Sequence, residues 1–92
     1  MSIPKVDPKF YPLLIKFGLN VAYYRKLADM TQENLAEKTN LARNTISDIE
    51  RTSVVEGMSL NTIFCLSEAL DVPLKDLFDF RDIKKEKTQP LE

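Results

Sequence analysis

The chain has 92 residues, 13 basic and 14 acidic, for a formal charge of −1, and 43% of its residues are apolar. That supports one domain burying somewhat over ~60% of its unfolded surface, and it excludes a disordered polyelectrolyte. A lone Cys65 and no histidine exclude an internal disulfide and a cysteine-cluster zinc site, and they remove the usual general base and imidazole ligand, so neither metal nor cofactor is expected.

Residues 1–12 contain Pro4, Pro8 and Pro12 and are expected to form an extended arm, with Pro12 suited to the first turn of the helix that follows. Lys5, Asp7 and Lys9 interrupt any signal-peptide core, and no run of about 18 apolar residues follows. The chain is therefore expected to be cytoplasmic, with no membrane partner.

In the first helix Leu14, Phe17, Val21 and Tyr24 recur at spacings of three and four, one apolar stripe. Gly18 interrupts it at a cost of about 1 kcal/mol relative to Ala. The helix is expected to end near Asp29, which tolerates a left-handed conformation. Thr31 is a suitable N-cap for the second helix, with Glu33 favourably placed in its positive first turn.

A third helix is expected from near Ala42 to at least Arg51. The segment from Thr52 to Met58, containing Gly57, reads as a loop leading to Ser59, the N-cap of a fourth helix. Leu60, Ile63, Leu66, Ser67 and Leu70 are expected on that helix's buried face. Asp71-Val72-Pro73 ends it and opens a short fifth helix reaching Phe78 or Phe80. Residues 81–92, rich in lysine, read as a solvated tail, and the closing Leu91-Glu92 reads equally as a cloning remnant. The domain proper is thus placed at 13–80.

The stretch Gln32 to Arg51 carries the functional signal. Two helices crossing closely need a small side chain at the contact, which Ala36 supplies, and the sharp turn needs a residue that accepts positive φ, which Asn40 does. Leu35, Ile46 and Ile49 then face inward, leaving Arg43, Asn44, Thr45, Ser47 and Asp48 outside. This is a helix-turn-helix, whose second helix reads the major groove in DNA-binding proteins.

From Phe17 to Phe78 the chain resembles the phage repressor and Cro family, the xenobiotic-response-element regulators. The resemblance rests on Phe17-Gly18, Val21 and Arg25, on Met30 through Ala36, on Arg43 through Glu50, and on Ser59-Leu60 with Ala69 through Phe78. It implies an all-α, five-helix, lambda-repressor-like domain with the third helix in the major groove of double-stranded DNA.

By position Gln32 would meet a phosphate, Arg43 and Asn44 would read bases, and Thr45 would touch a phosphate or a thymine methyl. Ser47 and Asp48 complete the groove-facing set, and Arg51 would reach a further phosphate. Arg25 and Glu50 occupy positions that pair in that family, implying an ion pair between the first and third helices. Ala42 departs from the usual Ser or Thr cap and Asn40 from the usual glycine. Asp48 puts an acid toward DNA, and Glu56 stands in a loop that is often basic.

The aromatic residues Phe10, Tyr11, Phe64, Phe78 and Phe80 exceed what a five-helix core hides, which predicts a homodimer through the C-terminal helices or the N-terminal arm. The expected function is a sequence-specific transcriptional regulator, a repressor acting on an operator. The alternative is an interaction module of the same fold, an antitoxin or co-regulator with a protein partner. Without histidine or a glycine-rich phosphate loop, an enzyme is not expected.

Overall fold

In a computed structural model that describes residues 6–51 and 58–80, the chain folds into five α-helices in the order expected. They are α1 (Tyr11–Leu27), α2 (Gln32–Thr39), α3 (Arg43–Glu50), α4 (Leu60–Leu70) and α5 (Leu74–Leu77), and no strand occurs among the described residues. The expected arm at residues 1–5, the loop at 52–57 and the tail at 81–92 lie outside the described residues.

The expectation of an extended chain up to Pro12 needs correction. Pro8–Phe10 forms a 3₁₀ turn whose N-cap is Asp7, and α1 already begins at Tyr11. The Asp7 carboxylate accepts from the Lys9 N–H at 3.0 Å. Proline's fixed φ suits a helical first turn, where its missing N–H has no partner to lose. Pro8 and Pro12 therefore start helical turns rather than prevent them.

Each later boundary has a local cause. Asp29, Asn40 and Asp71 take left-handed backbone at φ 60°, 59° and 58° and end α1, α2 and α4. Thr31 and Asn34 form a reciprocal capping box on α2, with Asn34 N–H to Thr31 Oγ1 at 2.9 Å and Thr31 N–H to Asn34 Oδ1 at 3.0 Å. Ser59 Oγ accepts from the Thr62 N–H at 3.1 Å and caps α4. Ser67 Oγ donates to the Val72 carbonyl at 2.6 Å, closing the α4–α5 turn.

The core gathers one apolar stripe from each helix: Phe17 and Val21, Leu35 and Ala36, Ile46 and Ile49, Leu66 and Leu70, and Leu77. Burying each large side chain contributes roughly 1.5–3 kcal/mol. Leu14 and Tyr24 of the expected α1 stripe are half-buried at its margin. Leu60 is corrected: it is 67% exposed. At 3.6 residues per turn it sits about 120° around α4 from Leu66, off the Ile63–Leu66–Leu70 side.

Asn20, which carries no sequence signal, ties the end of the domain to α1. Its amide nitrogen donates to the Leu77 carbonyl at 2.8 Å and to the Asp79 carbonyl at 3.1 Å. Phe78 stacks on Phe17 with ring centroids 4.9 Å apart while keeping an exposed edge. Phe80 packs half-buried beside them.

Candidate nucleic-acid interface

The α2–α3 corner is built as its residue types require. Asn40 takes the left-handed conformation, the Leu41 N–H returns to the Ala36 carbonyl at 3.1 Å, and Leu35, Ile46 and Ile49 are buried beneath. Thr39, also buried, satisfies its hydroxyl on the Leu35 carbonyl at 2.8 Å. The outer surface of α3 is thereby fixed in direction by its inner one.

A buried polar cluster sets the position of α3 against α1. Arg25 Nε and Nη2 donate to Glu50 Oε2 and Oε1 at 2.6 and 2.9 Å, a two-pronged pair between α1 and α3. Arg25 Nη1 donates to the Met30 carbonyl at 2.7 Å, and Gln32 Nε2 donates to Glu50 Oε1 at 3.0 Å. The pair expected from sequence is therefore present, and it also engages the α1–α2 turn and the start of α2. Charged groups this deep are tolerated because each is met by an opposite charge and further hydrogen bonds.

Gly18 has a scaffold role that sequence reasoning does not reach, since the sequence offers it only as a helix-propensity cost and as part of the family resemblance. A Cβ at this position would lie 1.9 Å from the Ile49 carbonyl oxygen of α3. The backbones of α1 and α3 meet there with no room for a side chain. The signal available was its place on the α1 surface seven residues before Arg25, facing the same neighbour.

The expected groove-facing residues fall as follows. Arg43, Asn44, Asp48 and Arg51 are exposed, while Thr45 and Ser47 are half-buried at the edge of the same surface. Gln32 is half-buried with its amide nitrogen committed to Glu50. Arg43 Nε pairs with Glu33 Oε2 of α2 at 3.2 Å, both side chains being largely exposed. The sequence places Glu33 at the α2 dipole and in the stretch that carries the family resemblance, and neither signals this pair.

Ala42 holds N-cap backbone geometry, φ −70° and ψ 146°, without a side-chain cap. The first N–H groups of α3 therefore have no side-chain acceptor, beside the Arg43 and Asn44 side chains, and the Thr45 N–H turns back to the Ala42 carbonyl at 3.0 Å. Such a helix start attracts anionic oxygen, and the two side chains beside it are donors matched to guanine and adenine edges. Among the described residues no group of three or more His, Cys, Asp or Glu could hold a metal, and no helix is long and apolar enough to cross a membrane.

A short helix pinned by its buried face, with exposed donors at its N-terminal end and a left-handed turn before it, defines a helix-turn-helix DNA-binding domain. The chain belongs to the Cro/C1-type HTH DNA-binding domain family, which matches residues 20–82. It is 44% identical over 68 residues to control protein C.BamHI of Bacillus amyloliquefaciens, covering 73% of this chain and 82% of that protein.

Among solved structures it is similar to the restriction-modification controller protein C.AhdI from Aeromonas hydrophila. The TM-score is 0.65 at 34% identity, covering 71% of this chain and 96% of that one. It is equally similar to C.Esp1396I bound to a 19 base pair DNA duplex, with a TM-score of 0.65 at 33% identity over 83% and 96% of the two chains. These relatives support the expected all-α fold and DNA-binding class over the interaction-module alternative.

Proposed function

We propose that this chain is a cytoplasmic transcription regulator of the restriction-modification controller type, which binds a specific double-stranded operator as a homodimer. The observation that carries the reading is the exposed start of α3. Arg43 and Asn44 flank an N-terminus with no side-chain cap, on a helix whose far end is fixed by the buried Arg25–Glu50 pair. The relation to a controller protein solved on a DNA duplex supports it.

In this reading α3 lies in the major groove, and Arg43 and Asn44 form paired bonds to guanine and adenine. Thr45, Ser47 and Asp48 face neighbouring bases or phosphates. Gln32 and Arg51 approach the phosphate backbone on either side. Gln32 meets it through its backbone N–H at the start of α2 and the second N–H of the amide nitrogen whose first N–H Glu50 holds. Occupying promoter DNA is itself the regulatory act, repressing where it blocks polymerase.

Dimerisation is assigned to α4, where Leu60 and Phe64 are exposed one turn apart, 67% and 52%. An apolar pair at that spacing forms a single patch. A two-fold dimer presents two α3 helices to half-sites about 34 Å apart. Light scattering showing a strict monomer at high concentration removes the dimer.

The deciding experiment is selection from a random duplex pool at two salt concentrations. The expected result is a two-fold symmetric motif whose preference at one base per half-site collapses in Arg43→Ala. Each resolved base contact is worth about 1–3 kcal/mol of discrimination. A pool that enriches no motif overturns the reading.

A further inference from the structure

The first turn of α2 carries three polar side chains with three destinations. Gln32 is turned to Glu50, Asn34 closes the capping box on the Thr31 N–H, and Glu33 reaches across the corner to the Arg43 guanidinium. The Glu33 carboxylate also sits in the first turn of α2, at the positive end of the helix dipole. It meets Arg43 most closely at Nε, the nitrogen nearest the chain, and the Arg43 side chain stays 54% exposed, so the terminal end of the guanidinium remains accessible.

We infer that Glu33 is a specificity-determining residue: it neutralises Arg43 toward phosphate while leaving its terminal nitrogens free to grasp a base. The inference rests on Arg43 being a base reader, as proposed above. Non-specific binding is driven by charge, since each phosphate neutralised releases condensed counterions. An arginine already paired with a carboxylate adds no net charge to that interaction. Base reading depends on donor geometry, two N–H groups aimed at guanine O6 and N7, and the pair leaves those donors in place.

Glu33 therefore lowers affinity for every wrong sequence and leaves the right one nearly unaffected. It also restricts the guanidinium plane, because Nε and the terminal nitrogens share one rigid fork.

The test uses the full chain with Glu33→Ala, Glu33→Gln, Arg43→Ala and the Glu33→Ala/Arg43→Ala double variant. Each is measured on the selected motif and on a scrambled duplex of equal length over a salt series. Glu33 is 69% exposed at its side chain, so thermal melts are expected to fall by no more than a few degrees, the loss of its favourable place in the first turn of α2. Removing the carboxylate should tighten binding to the scrambled duplex about 2- to 5-fold, the range expected of exposed ion pairs. The ratio of specific to scrambled affinity should fall by a similar factor.

The salt dependence on the scrambled duplex should steepen by about one ion. Glu33→Gln should follow Glu33→Ala, because the charge and not the shape is lost. In the Arg43→Ala background the change in ratio should vanish.

Three results overturn the inference: Glu33→Ala weakens binding to both duplexes, leaves the ratio unchanged, or shifts it equally with and without Arg43, and any of these shows Glu33 acting through something other than Arg43. Arg43→Ala alone separates the two levels of the argument. If it keeps the parent's base preference, Arg43 is not a reader and this inference falls with that assignment. If it flattens the preference while Glu33→Ala leaves the ratio intact, only the role of Glu33 falls.

Discussion

On the inner side of the α2–α3 corner Leu35 and Ile46 have no accessible surface and Arg25 and Glu50 share two short charge-assisted bonds. On the outer side Arg43 meets Glu33 through one exposed contact at 3.2 Å. The same chemistry, an arginine with a glutamate, has opposite consequences in the two places. Burial removes competing water and makes the inner pair a geometric constraint that joins α1, α2 and α3. Exposure leaves the outer pair worth about 0–1 kcal/mol, weak enough for a nucleic acid to rearrange. The domain thus keeps its rigid electrostatics where α3 is held against α1 and its soft electrostatics on the face proposed to meet DNA.

The largest way to break that comparison is to remove half of the inner pair. Glu50→Ala leaves Arg25 charged and buried, and it should destabilise the domain by about 3–5 kcal/mol in denaturant titration. Replacing both partners with apolar residues of similar size, Arg25→Met with Glu50→Leu, should recover much of that loss. Full additivity of the two single losses would show that the pair is not the unit described.

Gly18→Ala tests the same constraint through backbone contact. A methyl group would meet the Ile49 carbonyl oxygen at 1.9 Å, so α1 and α3 must separate. The helix-propensity gain of about 1 kcal/mol works the other way. A net loss of about 1–3 kcal/mol is expected, as for other overpacked contacts. It should be accompanied by weaker binding to the selected motif, because α3 is displaced as a body. A stabilised protein would mean that the close approach does not fix α3.

The features legible in the sequence are those set by neighbours within about four residues. Thr31 and Ser59 cap, Asn40 turns, and Phe17 with Val21 marks a stripe because each signal is local and periodic. Arg25–Glu50, 25 residues apart, was legible only through resemblance to a family. Gly18 against Ile49, Asn20 across to Leu77, and Glu33 against Arg43 depend on how helices are placed in space, which periodicity does not encode. Leu60 was misplaced for a related reason: an apolar residue at a helix start satisfies the spacing rule loosely, and only the packed phase of α4 shows which way it faces.

The smallest effect separates the fold of α3 from its chemistry. Ala42 already has the extended backbone of a cap, φ −70° and ψ 146°, close to the −84° and 162° of Ser59, which does cap α4. Ala42→Ser needs no backbone change to place a hydroxyl beside the Thr45 N–H, which now turns back to the Ala42 carbonyl at 3.0 Å, so it should stabilise the domain by about 0.5 kcal/mol, the low end for a cap. The denaturant midpoint should rise with an unchanged slope, because no additional surface is buried. Base preference should not change, since the terminal donors of Arg43 and Asn44 lie beyond the cap. If affinity instead falls equally on every duplex, DNA uses the N–H groups that the hydroxyl has taken. The missing cap would then belong to the phosphate contact, and the outer side of the corner would extend one residue further toward the turn.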